Sequence, residues 1–176
     1  MSWSRRRLLT GLSALPLLGL AGCGFRPLYA SAGPGKADPM AEMAAIRISP
    51  LSGRTGQILH NKLRDALNPH GQPHEPRYQL VVSLRERRSG LGVRLDETAT
   101  RARLEVRAKF KLTGAPNTPP LVDARAQSFV SFNLLESEFA TYVAENDARE
   151  RALSEIAEEI RLRLAGYFQT QAAAAE

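Results

Sequence analysis

The stretch Arg101–Leu112 constrains the fold more than any other part of the chain, because it alternates strictly. Ala102, Leu104, Val106, Ala108, Phe110 and Leu112 take every second place, and Arg101, Arg103, Glu105, Arg107, Lys109 and Lys111 fill the places between. Successive side chains on a strand point to opposite faces, so the pattern predicts one long strand with an apolar face and a wet, basic one. Tyr78, Leu80, Val82 and Leu84 repeat the same period just upstream. Between them, Ser89-Gly90-Leu91-Gly92 reads as the loop of a hairpin whose second strand runs from about Arg94 to Leu112. A sheet with one apolar face must bury it under a second layer, and the flanking segments have to supply that layer.

Upstream, Ile46 and Ile48 alternate with polar neighbours in a first short strand, Ala45–Ser49, and Pro50 to Gly53 turn the chain. Thr55 is a candidate N-cap for a helix that places Ile58, Leu59, Leu63, Ala66 and Leu67 on one side, and Asn68-Pro69-His70-Gly71 ends it. After turn signals at Gly114–Asn117 and Pro119-Pro120, Leu121–Phe132 reads as a further strand carrying Val122, Ala124, Ala126, Val130 and Phe132. A long helix from about Tyr142 to Phe168 closes the domain, with Leu153, Ile156, Ala157, Ile160, Leu164 and Phe168 at helical spacing. The expected fold class is α+β, two helices packed on one face of a four-stranded mixed sheet in the order β-α-β-β-β-α. That domain spans 45–170, and residues 171–176 are expected to fray.

The N-terminus fixes an address. Arg5-Arg6-Arg7 precedes an apolar run from Leu8 to Ala21 that is well short of the roughly 20 residues of a spanning helix. Leu20-Ala21-Gly22-Cys23 follows and reads as a lipobox, which predicts a lipoprotein leader over 1–22 and a diacylglycerol on the thiol of Cys23. Cys23 is the single cysteine of the chain, so an internal disulfide is excluded, and acylation removes a thiol that an oxidising compartment would otherwise attack. Several acyl chains on one residue hold a protein to a bilayer far more firmly than one. Ser4–Leu9 also resembles a twin-arginine export signal, and both export routes stay open. Residues 23–44 are expected to be the lipidated cysteine and a flexible tether, since Ser31–Ala41 is rich in Ala, Gly and Pro. Gly24, where aspartate would signal inner-membrane retention, favours the outer membrane.

Charge narrows the function. Loss of the leader's three arginines lowers the formal charge from +6 to +3, so the mature chain is too mildly basic to argue for a nucleic-acid partner. His60, His70 and His74 are the only histidines, and none stands at a metal-ligand spacing with cysteine or carboxylate partners. Nucleophile elbow, Gly-rich phosphate loop and H-E-x-x-H are missing from the sequence, so neither catalytic residues, a metal nor a cofactor is expected. Arg85, Arg87, Arg88, Arg94, Arg101, Arg103, Arg107, Lys109 and Lys111 gather on the hairpin and its wet face. Such a set suits phosphates and carboxylates, which accept charge-assisted and bidentate hydrogen bonds; it equally suits a solvated sheet that carries charge for solubility.

Three stretches carry a family resemblance: Cys23-Gly24-Phe25-Arg26-Pro27-Leu28-Tyr29, the segment from Ile46 to Leu67, and Phe132-Asn133-Leu134-Leu135-Glu136-Ser137-Glu138-Phe139-Ala140. On these the chain resembles LptE, the lipopolysaccharide-assembly lipoproteins, in particular those of alphaproteobacteria. The resemblance implies a lipid anchor in the inner leaflet of the outer membrane, a domain facing the periplasm, and association with the β-barrel protein LptD, whose lumen LptE-like proteins partly fill. It implies delivery of lipopolysaccharide to the outer leaflet and contact with it, for which the nine basic residues named above are the candidates. The rival reading is an auxiliary lipoprotein of an ABC-type envelope lipid transport system, which would also be a small α/β domain on a lipid tether.

Overall fold

The computed structural model describes residues 38–93, 99–114 and 118–174. Its elements are α1 (Pro39–Ala44), β1 (Ile46–Ile48), α2 (Gly53–Leu67), β2 (Tyr78–Val93), β3 (Ala99–Thr113), β4 (Val122–Asn133) and α3 (Glu138–Ala174). The leader, Cys23 and most of the expected tether lie outside the described residues.

The expected α+β architecture is present. The four strands stand in the order β1-β2-β3-β4, with β1 parallel to β2 and the other pairs antiparallel. Parallel neighbours need a crossover, and α2 supplies it. Alternation sorts the residues as the sequence demanded: Leu104, Val106, Ala108, Phe110 and Leu112 of β3 are all at most 2% exposed, while the residues between them form the opposite face. Against the apolar side lies α3, which buries Leu153, Ile156, Ile160, Leu164 and Phe168, with Ala148, Ala152, Ala157 and Ala165 allowing close approach. Leu59, Leu63 and Leu67 bring α2 onto the same core.

The two longest elements run antiparallel and in step. Tyr78, at the start of β2, packs against Phe168 with ring centroids 5.1 Å apart and the rings tilted by 59°, and ten residues later Arg88 pairs with Glu145 at 2.9 Å. Ten strand residues and the 23 helical residues between Glu145 and Phe168 each span about 34 Å, so these pairs measure a common axis. At the Tyr78 end the chain enters: Glu42 of α1 accepts a hydrogen bond from Tyr78 Oη and pairs with Arg77, both at 2.9 Å. Asp38 caps α1 by accepting from Met40 N–H at 2.9 Å, and Pro39 suits its first turn. The tether expected up to residue 44 thus ends in a helix, because Met43 reaches the core and is 4% exposed.

Four boundaries differ from the sequence expectation. Ser89-Gly90-Leu91-Gly92 is not a loop: the ladder continues through Ser89↔Arg103, Gly90↔Ala102 and Leu91↔Arg101 to Val93↔Ala99. A long alternating partner strand outweighs the preference of Gly90 and Gly92, which is only about 0.5–1 kcal/mol against a strand. Pairing therefore continues to Val93 and Ala99, and Arg94 lies outside the described residues. α2 begins at Gly53 (φ +76°) with Ser52 at the cap position, two residues before Thr55. α3 begins at Glu138 and runs to Ala174, four residues earlier than expected and well beyond Phe168. Ser137 starts it, its carbonyl accepting from Thr141 N–H at 3.0 Å and its hydroxyl from Ala140 N–H at 3.3 Å. The alanine-rich end extends it through the highest of helix propensities.

Candidate functional site

The uncovered face of the sheet collects charge by register. Residue parity on β2, β3 and β4 sets three-residue rows across it: Ser83–Lys109–Arg125, Arg85–Arg107–Gln127, Arg87–Glu105–Phe129 and Ser89–Arg103–Ser131, with Val81–Lys111–Asp123 at one end and Arg101 beside Asn133 at the other. Eight cations of β2, β3 and β4, Arg85, Arg87, Arg101, Arg103, Arg107, Lys109, Lys111 and Arg125, are all exposed there and meet two carboxylates, Glu105 and Asp123, and Arg47 of β1 adds a ninth at the edge. Glu105 pairs with Arg107, and Asp123 is shared by Lys111 at 3.3 Å and Lys109 at 3.9 Å. Among the described residues no ion pair holds the five remaining arginines of β2, β3 and β4.

Arg85 faces Arg107 directly across β2 and β3, and Lys109 faces Arg125 across β3 and β4. Like charges placed opposite each other destabilise a sheet. Solubility alone needs no such juxtaposition, whereas an anion bound between the cations would relieve it. These four line an open groove of about 810 Å³ on the uncovered face, closed on the β4 side by Glu159 and Arg163 of α3. Glu159 also guards the sheet edge, its carboxylate accepting from the outward Gln127 N–H at 3.3 Å. Guanidinium and ammonium groups a strand spacing apart can grip phosphate or carboxylate oxygens from several sides.

Of the nine basic residues expected from sequence, seven stand on this face. Arg88 does not: Leu80, Val82 and Leu84 point toward the helices, so Arg88, of the same parity, points there too. It lies 5.5 Å over the Phe132 ring and pairs with Glu145. Adjacent Arg87 and Arg88 cannot share a face of one strand. Arg94 lies outside the described residues, as does Cys23. Arg125 is a residue that sequence reasoning missed. Its strand reads as mixed in polarity, and only the pairing of β4 with β3 brings Arg125 beside Lys109.

Outside the basic face two ionisable groups are shifted by their surroundings. The Tyr78 hydroxyl is held above its ordinary value of 10.0 first by burial and then by the hydrogen bond it donates to Glu42. Glu158 is held below the usual carboxylate range by hydrogen bonds from Arg161. Among the described residues no group of three His, Cys, Asp or Glu side chains could hold a metal ion, and no helix is long and apolar enough to cross a membrane.

The structure thus defines a two-layer α+β domain with helices on one side of its sheet and an open, cationic surface on the other. The LptE family, described as Lipopolysaccharide-assembly, matches residues 43–164, and the chain belongs to that family. A crystallised lipoprotein of Caulobacter crescentus is similar over 74% of this chain and 96% of its own, with 27% identity and a TM-score of 0.64. A minor lipoprotein of Acinetobacter baumannii shares the fold at 16% identity and a TM-score of 0.54, covering 69% of this chain and 88% of its own. Lipoprotein B of Nitrosomonas europaea does so at 14% and 0.53, covering 70% and 83%. No curated protein matches the chain.

Proposed function

We propose that this chain is a lipoprotein of the outer membrane, acylated at Cys23 and facing the periplasm, that associates with an LptD-like barrel protein and contacts lipopolysaccharide through its basic sheet face. It acts by binding and scaffolding, not by turnover. Family membership over residues 43–164 supports the role in lipopolysaccharide assembly. The observation that carries direct contact is the opposition of Arg85 to Arg107 and of Lys109 to Arg125 around one groove. Lipid A phosphates and core carboxylates are the anions such a groove fits.

Reversal of three of these charges, Arg85→Glu, Arg107→Glu and Arg125→Glu, is expected to weaken binding of purified protein to lipopolysaccharide at low salt by at least about tenfold, each lost charged hydrogen bond being worth roughly 1.5–3 kcal/mol. Reversal of Arg151 on the solvent side of α3, paired with Asp147 at 3.0 Å, is the control and should change little. Equal affinity in the triple variant and the parent would remove the groove from the reading. Mass spectrometry of the protein extracted from membranes should find the mature chain beginning at an acylated Cys23; an intact leader or a bare thiol would remove the anchor.

A further inference from the structure

Four large apolar side chains stand uncovered together at the start of α3. Leu135, Phe139, Tyr142 and Val143 are 51, 75, 56 and 50% exposed. Leu135 is tied down beside the first turn, its N–H donating to Thr141 Oγ1 at 2.8 Å and its carbonyl accepting from that hydroxyl at 3.2 Å. Phe139, Tyr142 and Val143 stand at i, i+3 and i+4 and so share one face of the first turns of α3. The other exposed large apolar residues, Met40, Val81, Leu121, Phe129 and Leu162, come singly. Clustered aromatic and aliphatic side chains at this exposure mark an interaction surface.

Charge at the rim decides what covers it. Glu136 and Glu138 are exposed beside the cluster, and Glu150 follows Phe139 three turns along the same stripe. None of the three has an ion pair among the described residues. The nearby cations Arg88 and Arg149 are engaged by Glu145 and Glu86, and Arg101, beside Asn133, belongs to the basic sheet face and is a single cation against three rim carboxylates. Arg54 is the exposed cation across the cleft that Tyr142 lines. A bilayer surface or a glycolipid bearing phosphates would meet net negative charge here and be repelled, whereas a protein surface carrying Lys or Arg around an apolar centre would be attracted. Position agrees: Phe139 lies about 44 Å along α3 from Phe168, the end at which α1 brings the chain in.

We infer that Leu135, Phe139, Tyr142 and Val143 form a protein-docking site, which takes an apolar surface edged with basic side chains on the barrel partner. This rests on the barrel association proposed above and separates it from glycolipid contact, which belongs to the basic sheet face. The test uses the full chain, tagged and purified in detergent from its own membranes, as the parent, as F139E/V143E and as E136K/E138K. Retention of the LptD-like barrel should fall at least tenfold for F139E/V143E and clearly for E136K/E138K, with lipopolysaccharide binding and melting temperature as in the parent. A photo-crosslinking residue at position 139 should join the barrel protein. Parent-like retention in F139E/V143E, or crosslinks to lipid or lipopolysaccharide alone, overturns the inference while leaving the barrel association intact. A parent that retains no barrel overturns both.

Discussion

Asn68 joins two elements with one side chain. It ends α2, and its Nδ2 donates to the carbonyls of Ala44 at 3.0 Å and Ile46 at 3.2 Å, locking the helix end to the entry of β1. It is 3% exposed. Asn68→Ala should cost about 2 kcal/mol, because it strands buried acceptors, and Asn68→Asp should cost more by placing a carboxylate against the same carbonyls. Urea unfolding of both variants checks the order; an Asp variant as stable as the parent would contradict it. Sequence alone marks Asn68 as a helix stop, and nothing in it reveals a partner 24 residues upstream. Tyr78 gives a pH signature. Because its folded hydroxyl holds the proton above pH 10.0, its contribution is fully present below that pH and is lost as pH rises through the raised value. Tyr78→Phe should lose about 1 kcal/mol at neutral pH and show a shallower stability loss in alkali than the parent, read from urea midpoints across that range.

At the scale of elements, packing rules over local preference. Ala152 is fully buried where α3 lies on the sheet. Ala152→Leu should force the helix outward and cost about 1–3 kcal/mol. Ser137→Ala removes a capping hydroxyl from the same helix and should cost about 1 kcal/mol. Calorimetry on the two variants should rank the packing change at or above the cap; the reverse order would mean the helix is not seated as described. The hairpin shows the same hierarchy. Ser89, Gly90 and Gly92 carry turn chemistry, yet all three lie within β2, whose pairing with β3 runs on to Val93↔Ala99. Both ends of α3 were misplaced by sequence reading for a related reason: apolar spacing reports where a helix touches the core, and this helix begins before that contact and continues after it.

The described domain has a basic sheet face and, at the end of α3 remote from α1, an apolar cluster with an acidic rim. Binding through the two should respond differently to salt. Lipopolysaccharide affinity should fall steeply between low salt and about 1 M, where the screening length is about 3 Å, while barrel retention, resting on apolar burial, should change much less. Equal salt slopes would place both ligands on the same surface.

Period-two alternation on β2 and β3 and the helical spacing of α2 and α3 were enough to determine the layers, the order of the elements from β1 onward and the side of each strand that turns to the core, since burying apolar side chains admits one parity per strand; α1 was not legible in them. That parity also carried seven of the expected basic residues to a common face. Strand register, and with it the opposition of Arg85 to Arg107 and of Lys109 to Arg125, came only from the tertiary structure, as did the turning of Arg88 under the sheet and the clustering of Leu135 with Phe139 and Val143. Periodicity along a chain says which way a side chain points; which neighbour it meets depends on how far one strand has slid along the next, and that is decided by packing across segments distant in sequence.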